Sequence, residues 1–154
     1  MANTRWNKLN KLQLGKYAEY YAKMEFASYG LDVYTSEVDD HGVDFIVKDK
    51  KGIFNEIQVK SLRIDKNNLI YMEQDKFNIN NKALYLVILI FKDNEMPIMY
   101  LVPAIVWSNE NELFLRKDYD SSFKSKSEYR VNLSKKNIPL LEKYRFECVI
   151  ESFM

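Results

Sequence analysis

Two alternating runs meet across a charged, glycine-ended tetrapeptide, and this junction constrains the chain's fold more than any other feature. Val43-Asp44-Phe45-Ile46-Val47-Lys48 leads into Asp49-Lys50-Lys51-Gly52, and a second run continues from Ile53 to Leu62. Both flanking runs are rich in β-branched and aromatic residues, so they read as strands of a hairpin. With Lys50-Lys51-Gly52 as the loop, glycine takes the left-handed position that ends a three-residue hairpin. Asp49 then faces Ile53 and, counting back, Asp44 faces Gln58. A two-residue loop would oppose Asp44 to Ile57 and split the polar groups between faces; the position of Gly52 selects the first register. Glu56, Gln58 and Lys60 then share one face with Asp44, while Phe45, Val47, Ile57 and Val59 turn to the core.

The remaining elements follow from periodicity. Leu14, Ala18, Tyr21, Ala22 and Phe26 recur at spacings of three and four, which predicts a helix from about Lys11 to Tyr29, stopped by Gly30. Strands are expected at Leu31–Thr35, Val43–Lys48, Ile53–Leu62 and Leu69–Met72. Lys82–Phe91 reads as a central buried strand, paired with Met99–Val102 across Asp93-Asn94-Glu95. Pro103–Trp107 suits a short helix, and a helical turn is expected after Ser134. Glu37 to Gly42 is a polar loop.

A length of 154 residues, 47% of them apolar, predicts one globular domain over residues 1–154 with a single core. The longest apolar run, Leu84 to Phe91, is too short to span a bilayer, so no membrane partner is expected. The first residues are basic and polar without an apolar signal core, and the lone Cys148 has no disulfide or zinc partner. A reducing, cytoplasmic setting is therefore expected, with Cys148 buried. Net charge is only +1, but as far as Ala18 the charged side chains are Arg5, Lys8, Lys11 and Lys16. Two further basic groups comprise Lys48, Lys50 and Lys51, and Lys124, Lys126, Arg130, Lys135 and Lys136. Such clusters serve either as solvated surface or as contacts to phosphate.

The hairpin face concentrates the chemistry. Oxygen donors from Asp44, Gln58 and Glu56 suit a hard divalent cation such as Mg²⁺ or Mn²⁺. Lys60 beside them can orient or activate a water, or neutralise charge building on a phosphate. Glu19 lies at the border of the helical stripe, with Gly15 one turn earlier leaving room beside it. It either pairs with a basic side chain or approaches the metal site from the helix. His41 can act as a general base or phosphate contact, or be an incidental loop residue. Asp39 and Asp40 either keep the loop solvated or help hold a second cation. Tyr17, Tyr20, Tyr21 and Tyr29 mostly fit packing, with base stacking as the alternative.

A helix with Gly15 and Glu19, a strand, the Asp44 strand and then Glu56-Ile57-Gln58-Val59-Lys60 resembles the PD-(D/E)XK nuclease superfamily. The similarity is to its Holliday-junction-resolvase-like and restriction-endonuclease-like branches, and it covers about Leu14 to Leu62. It implies an α/β fold with a restriction-endonuclease-like αβββαβ core, a mixed central sheet flanked by helices. It further implies catalytic roles for Asp44, Gln58, Lys60 and Glu19, and metal ligation by Asp44, Gln58, Glu56 and Glu19. Lys11, Lys16 and Ser61 become contacts to nucleic acid. Val43 replaces the motif proline. Gln58 stands where a carboxylate is usual, coordinating through its carbonyl oxygen without bringing a charge, a substitution found among active members.

The resemblance thus implies an Mg²⁺- or Mn²⁺-dependent endonuclease acting on DNA in defence, repair or mobile-element processing, with a homodimer suited to cutting two strands. The alternative is a catalytically inactive module of the same fold that binds nucleic acid or protein, or a purely structural subunit.

Overall fold

The computed structural model describes residues 2–37, 41–64 and 68–154. The expectations for Asp39 and Asp40 lie outside these residues. The first long element, α1 (Lys11–Ser28), starts at a capping box. The Asn10 side chain accepts from the Gln13 amide at 2.8 Å, and the Gln13 side chain accepts from the Asn10 amide at 2.9 Å. Leu14, Ala18, Ala22 and Phe26 are its buried stripe, as the spacing predicts, and Tyr21 is half-buried.

The chain then forms β1 (Asp32–Tyr34), β2 (Phe45–Lys48) and β3 (Phe54–Arg63). Phe45 faces Ile57 and Lys48 faces Phe54, the register set by the three-residue loop. Asp49 donates its amide to the Ile53 carbonyl at 2.9 Å, and Gly52 turns back at φ +86° to donate to the Asp49 carbonyl at 3.1 Å. The Asp49 carboxylate also accepts from the Lys51 and Ile53 amides, each at 2.9 Å. Burial alone would raise its pKa; these bonds and that from Asn55 outweigh burial and hold it below the usual value. The loop is therefore rigidly closed, and the step from Asp44 to Gln58 at the far end of the hairpin inherits its register.

Next come β4 (Leu69–Glu73), β5 (Leu84–Phe91), β6 (Ile98–Pro103), β7 (Phe114–Lys117), β8 (Glu128–Asn132) and the short α2 (Phe146–Val149). Five strands form a mixed sheet in the order β1-β2-β3-β5-β6, in which β3 and β5 run parallel. Strand β5 is interior, paired with β6 through a tight turn at Asn94, as its unbroken apolar run anticipates. Strands β4, β8 and β7 form a separate antiparallel sheet, which the sequence reading did not separate from the first. The parallel crossover from β3 to β5 is made by β4 and a 3-10 turn at Gln74–Lys76, where the expected core order places a helix. Pro103–Trp107 and the region after Ser134 are also helical, but as 3-10 turns at Ala104–Ser108 and Ile138–Tyr144.

The expected single core is two. On one face of the five-stranded sheet α1 and the C-terminal turns bury Phe26, Phe45, Ile57, Val87, Leu101 and Phe146. Phe26 sits among three rings, with centroids 5.8 Å from Phe45, 5.0 Å from Phe146 and 5.8 Å from Phe153. A fully buried phenylalanine of this kind contributes about 1.5–3 kcal/mol. On the other face the second sheet and the 3-10 turns enclose Leu86, Ile88, Val102, Trp107 and Val131. That second layer covers β5 and β6 and reaches β3 only at Leu62, so the same face of β1, β2 and the start of β3 is left open. Cys148, expected to be buried, is exposed: it lies on the outer side of α2, whose inward residue is Phe146. Among the described residues no helix is long and apolar enough to cross a membrane.

Candidate functional site

The site arises because β3 outlasts β2. Strand β2 begins at Phe45, whereas β3 continues to Arg63 with β5 on its other side. Glu56 and Ile64 donate their amides to the Ala83 and Phe91 carbonyls, at 2.7 and 3.3 Å. Even-numbered residues of β3 therefore bond toward β5, and odd-numbered ones present their backbone to the side that β2 vacates. Asp44 fills the first vacated position: its Oδ2 accepts the Val59 amide at 2.7 Å. The Asp44 amide meanwhile donates to the Ile57 carbonyl at 2.9 Å. Beyond it, the backbone of Ser61 faces an open cleft of about 860 Å³ between β3 and the first half of α1.

That cleft gathers most residues singled out from the sequence. Lys60 and Ser61 line it from β3; Lys11, Gly15, Lys16 and Glu19 line it from α1. A Cβ built on Gly15 would meet nothing within 4 Å, so glycine there does leave room. Glu19 pairs with Lys16 at 3.0 Å, the ion-pair alternative for this carboxylate, while still lining the cleft. Asp44 lies within electrostatic reach of both Lys16 and Lys60. Arg63 closes the cleft's end, donating from its guanidinium to the Trp6 and Leu9 carbonyls and pinning the segment before α1 to β3.

Lys60 is half-buried, with its Nζ 6.0 Å from the centre of the Tyr71 ring. Burial pushes its pKa below the usual lysine value. Asp44 and Glu73 pull it back up, while Lys11 and Lys76 push it further down. An ammonium held this way is a weaker base than a free lysine and a readier proton donor.

Gln58 is the most enclosed member of the group, at 9% exposure, and its Oε1 has no hydrogen-bond partner among the described residues. A buried amide oxygen without a partner costs roughly 1–3 kcal/mol. A divalent cation, or a water bound to one, would supply the interaction that this oxygen lacks, so an oxygen donor of this kind fits a hard cation. Gly42 explains how Gln58 is enclosed. At φ +81° its Cα faces Lys76, and an added Cβ would lie 3.3 Å from Lys76 Cβ and 3.5 Å from Gln58 Nε2.

Glu56, another proposed ligand, is engaged: it accepts from Asn81 Nδ2 at 2.7 Å. His41 is exposed on the loop before Asp44. Among the described residues no three His, Cys, Asp or Glu side chains gather into a group that could hold a metal ion. The sequence reading missed Glu73 and Lys76, which arrive at the wall of the site from β4 and the turn after it. Only the crossover topology brings them there, and no motif marks them. Part of the third basic group is neutralised: Lys126 pairs with Asp75 at 3.2 Å, and Arg130 hydrogen-bonds Glu128 at 2.6 Å. Of the helix tyrosines, Tyr17, Tyr21 and Tyr29 pack, whereas Tyr20 is exposed with Lys16 and Lys23 over its ring.

Neither a scan against protein-family models nor a search of curated proteins finds a match. Solved structures do resemble this one. A bacterial homing endonuclease, I-Ssp6803I, is similar with a TM-score of 0.53 and 20% identity, over 90% of each chain. The Holliday junction resolvase Hjc of Archaeoglobus fulgidus is similar with a TM-score of 0.51 and 11% identity, over 82% of this chain and 88% of its own. At these identities the likeness is one of fold.

Proposed function

Starting from a chain with the PD-(D/E)XK, restriction-endonuclease-like fold, we propose that it is a divalent-metal-dependent endonuclease that hydrolyses DNA phosphodiester bonds. One observation carries this reading. At the open end of the β2–β3 hairpin, Asp44 accepts the Val59 amide within electrostatic reach of the half-buried Lys60, the neighbouring Gln58 oxygen has no partner among the described residues, and Lys60 lines a cleft with Lys11 and Lys16. DNA cleavage by the two similar structures' proteins, a homing endonuclease and a junction resolvase, supports the same substrate class here.

Asp44 and Gln58 would hold Mg²⁺ or Mn²⁺, with Glu19 and Glu56 as the further carboxylates that the motif offers. When bound, such an ion supplies Lewis-acid charge and a water of lowered pKa. The chain's own residues do the rest. The Val59 amide fixes the Asp44 carboxylate in orientation before substrate arrives. Lys11, Lys16 and Ser61 bind the phosphates that flank the scissile one. Lys60, half-buried beside Asp44, meets the negative charge that grows on the phosphoryl oxygens. It also holds a proton close to where the leaving oxygen needs one. A second copy of the chain would supply the second cut in a duplex.

One observation favours the inactive binding module instead. Gln58 brings no charge, and no three-acid cage forms among the described residues. Incubating the protein with supercoiled plasmid and with a four-way DNA junction separates the two readings. The nuclease reading expects nicking with Mg²⁺ or Mn²⁺ that stops with chelator. Binding of both substrates with no divalent-dependent cut would establish the module.

A further inference from the structure

The sheet face that carries Asp44, Gln58 and Lys60 continues past them and, among the described residues, has no layer over it. Cross-strand pairing puts Tyr34, Ile46 and Glu56 in one row and Asp32, Lys48 and Phe54 in the next. The second sheet does not reach these rows. Tyr34 is 49% exposed and Phe54 53% exposed, with their ring centroids 5.9 Å apart. Lys48 Nζ lies 5.6 Å from the Phe54 ring centre. Next to Lys60, Tyr71 of β4 in the second sheet is 53% exposed, with Lys60 Nζ 6.0 Å from its ring centre. The candidate cutting residues therefore sit between two aromatic surfaces, each with an ammonium group beside its ring. From Phe54 to Lys60 is six residues of β3, about 20 Å at 3.3 Å per residue.

Resting on the nuclease reading above, we propose that this open face, with Tyr71 of the second sheet beside Lys60, is a stacking platform for unpaired nucleotides on both sides of the scissile phosphate. The preferred substrate is then splayed or branched DNA, not a continuous duplex. Solvent-exposed rings offer π-faces that every base can use, and bases inside a duplex cannot reach them. The two lysines place positive charge where the sugar-phosphate strand must pass. A second copy of this chain fits the face less well, because lysine is depleted from the cores of protein interfaces. The carboxylates on and beside the face are each accounted for: Asp44 is the candidate metal ligand, Glu56 is tied to Asn81, Glu73 pairs with Lys76 at 3.6 Å, and Asp32 lies at the far end, opposite Lys48.

The test uses Phe54→Leu and Tyr71→Leu, which keep apolar bulk but remove the ring, with circular dichroism confirming that both variants fold. Fluorescence anisotropy in chelator measures their affinity for a splayed DNA fork and for the fully paired duplex of the same sequence. One lost stack is worth about 1–3 kcal/mol, so the ratio of fork to duplex affinity is expected to fall by roughly tenfold in each variant. An unchanged ratio overturns the platform, even if the wild type cuts DNA. Conversion of a wild-type dimer to monomer by Phe54→Leu also overturns it, marking the face as a self-interface. A wild type that never cuts but shows the fork preference, lost in the variants, upholds the platform and overturns only the nuclease reading.

Discussion

Lys60→Met is expected to reduce DNA cleavage by about 10²–10³-fold, the usual cost of losing one preorganised charge-stabilising group, while raising the unfolding temperature. Methionine fills the space of the lysine stem and leaves the apolar contacts intact. What it removes is an ammonium that burial disfavours. A lysine whose folded pKa lies below its unfolded value destabilises the fold while it is charged, that is, at neutral pH. The penalty fades as pH rises through the folded pKa toward the ordinary value of 10.5. The variant should therefore be more stable than wild type at pH 7, and the gap should close under alkaline conditions. Paired thermal melts at neutral and alkaline pH, with single-turnover cleavage at neutral pH, read both effects. A Met variant that cuts normally would remove Lys60 from the chemistry. One that is less stable would mean that the buried charge is compensated within the fold.

Asp44→Asn separates charge from structure at the other principal residue. Asparagine can still accept the Val59 amide through its side-chain oxygen, so the hairpin end should hold and stability should change little. The negative charge is lost. Residues that merely orient a metal ligand are worth about 10–100-fold in affinity, so replacing the ligand itself is expected to weaken Mn²⁺ binding by about 100-fold or more and to silence cleavage. Asp44→Ala should behave differently. It also leaves the Val59 amide without its acceptor, which adds a destabilisation of about 1–3 kcal/mol. Chemical denaturation of the two variants side by side, with calorimetric titration of Mn²⁺, distinguishes the roles. Equal destabilisation by Asn and Ala would show that the carboxylate's charge, not its hydrogen bond, holds the strands together.

The hairpin and its register were legible because local rules fix them. Gly52 sets the loop, the loop sets the register, and the register puts Asp44 opposite Gln58 with Lys60 on the same face. The α1 stripe was legible for the same reason: a spacing of four on Leu14, Ala18, Ala22 and Phe26, with Tyr21 three after Ala18, has one helical solution. What sequence did not reveal depends on where segments travel after they form. Strand β4 alternates like any other, and nothing in Leu69–Glu73 says that it leaves the main sheet to pair with Glu128–Asn132. Glu73 and Lys76 consequently came to the site unannounced. The exposure of Cys148 was misjudged because a four-residue helix is too short for periodicity to show its inward side. The resemblance reached only to Leu62, which is also where the strand order stops following the expected succession of elements.

The most direct test of the central claim, that the oxygens of Asp44 and Gln58 share a divalent ion beside Lys60, is calorimetric titration of Mn²⁺ into wild type and Gln58→Glu. A carboxylate in place of the enclosed, unpartnered amide oxygen adds a charge where the ion is expected. The wild type should bind one ion per site, and Gln58→Glu should bind it more tightly. The same affinity in both proteins, or no binding by either, would contradict the account.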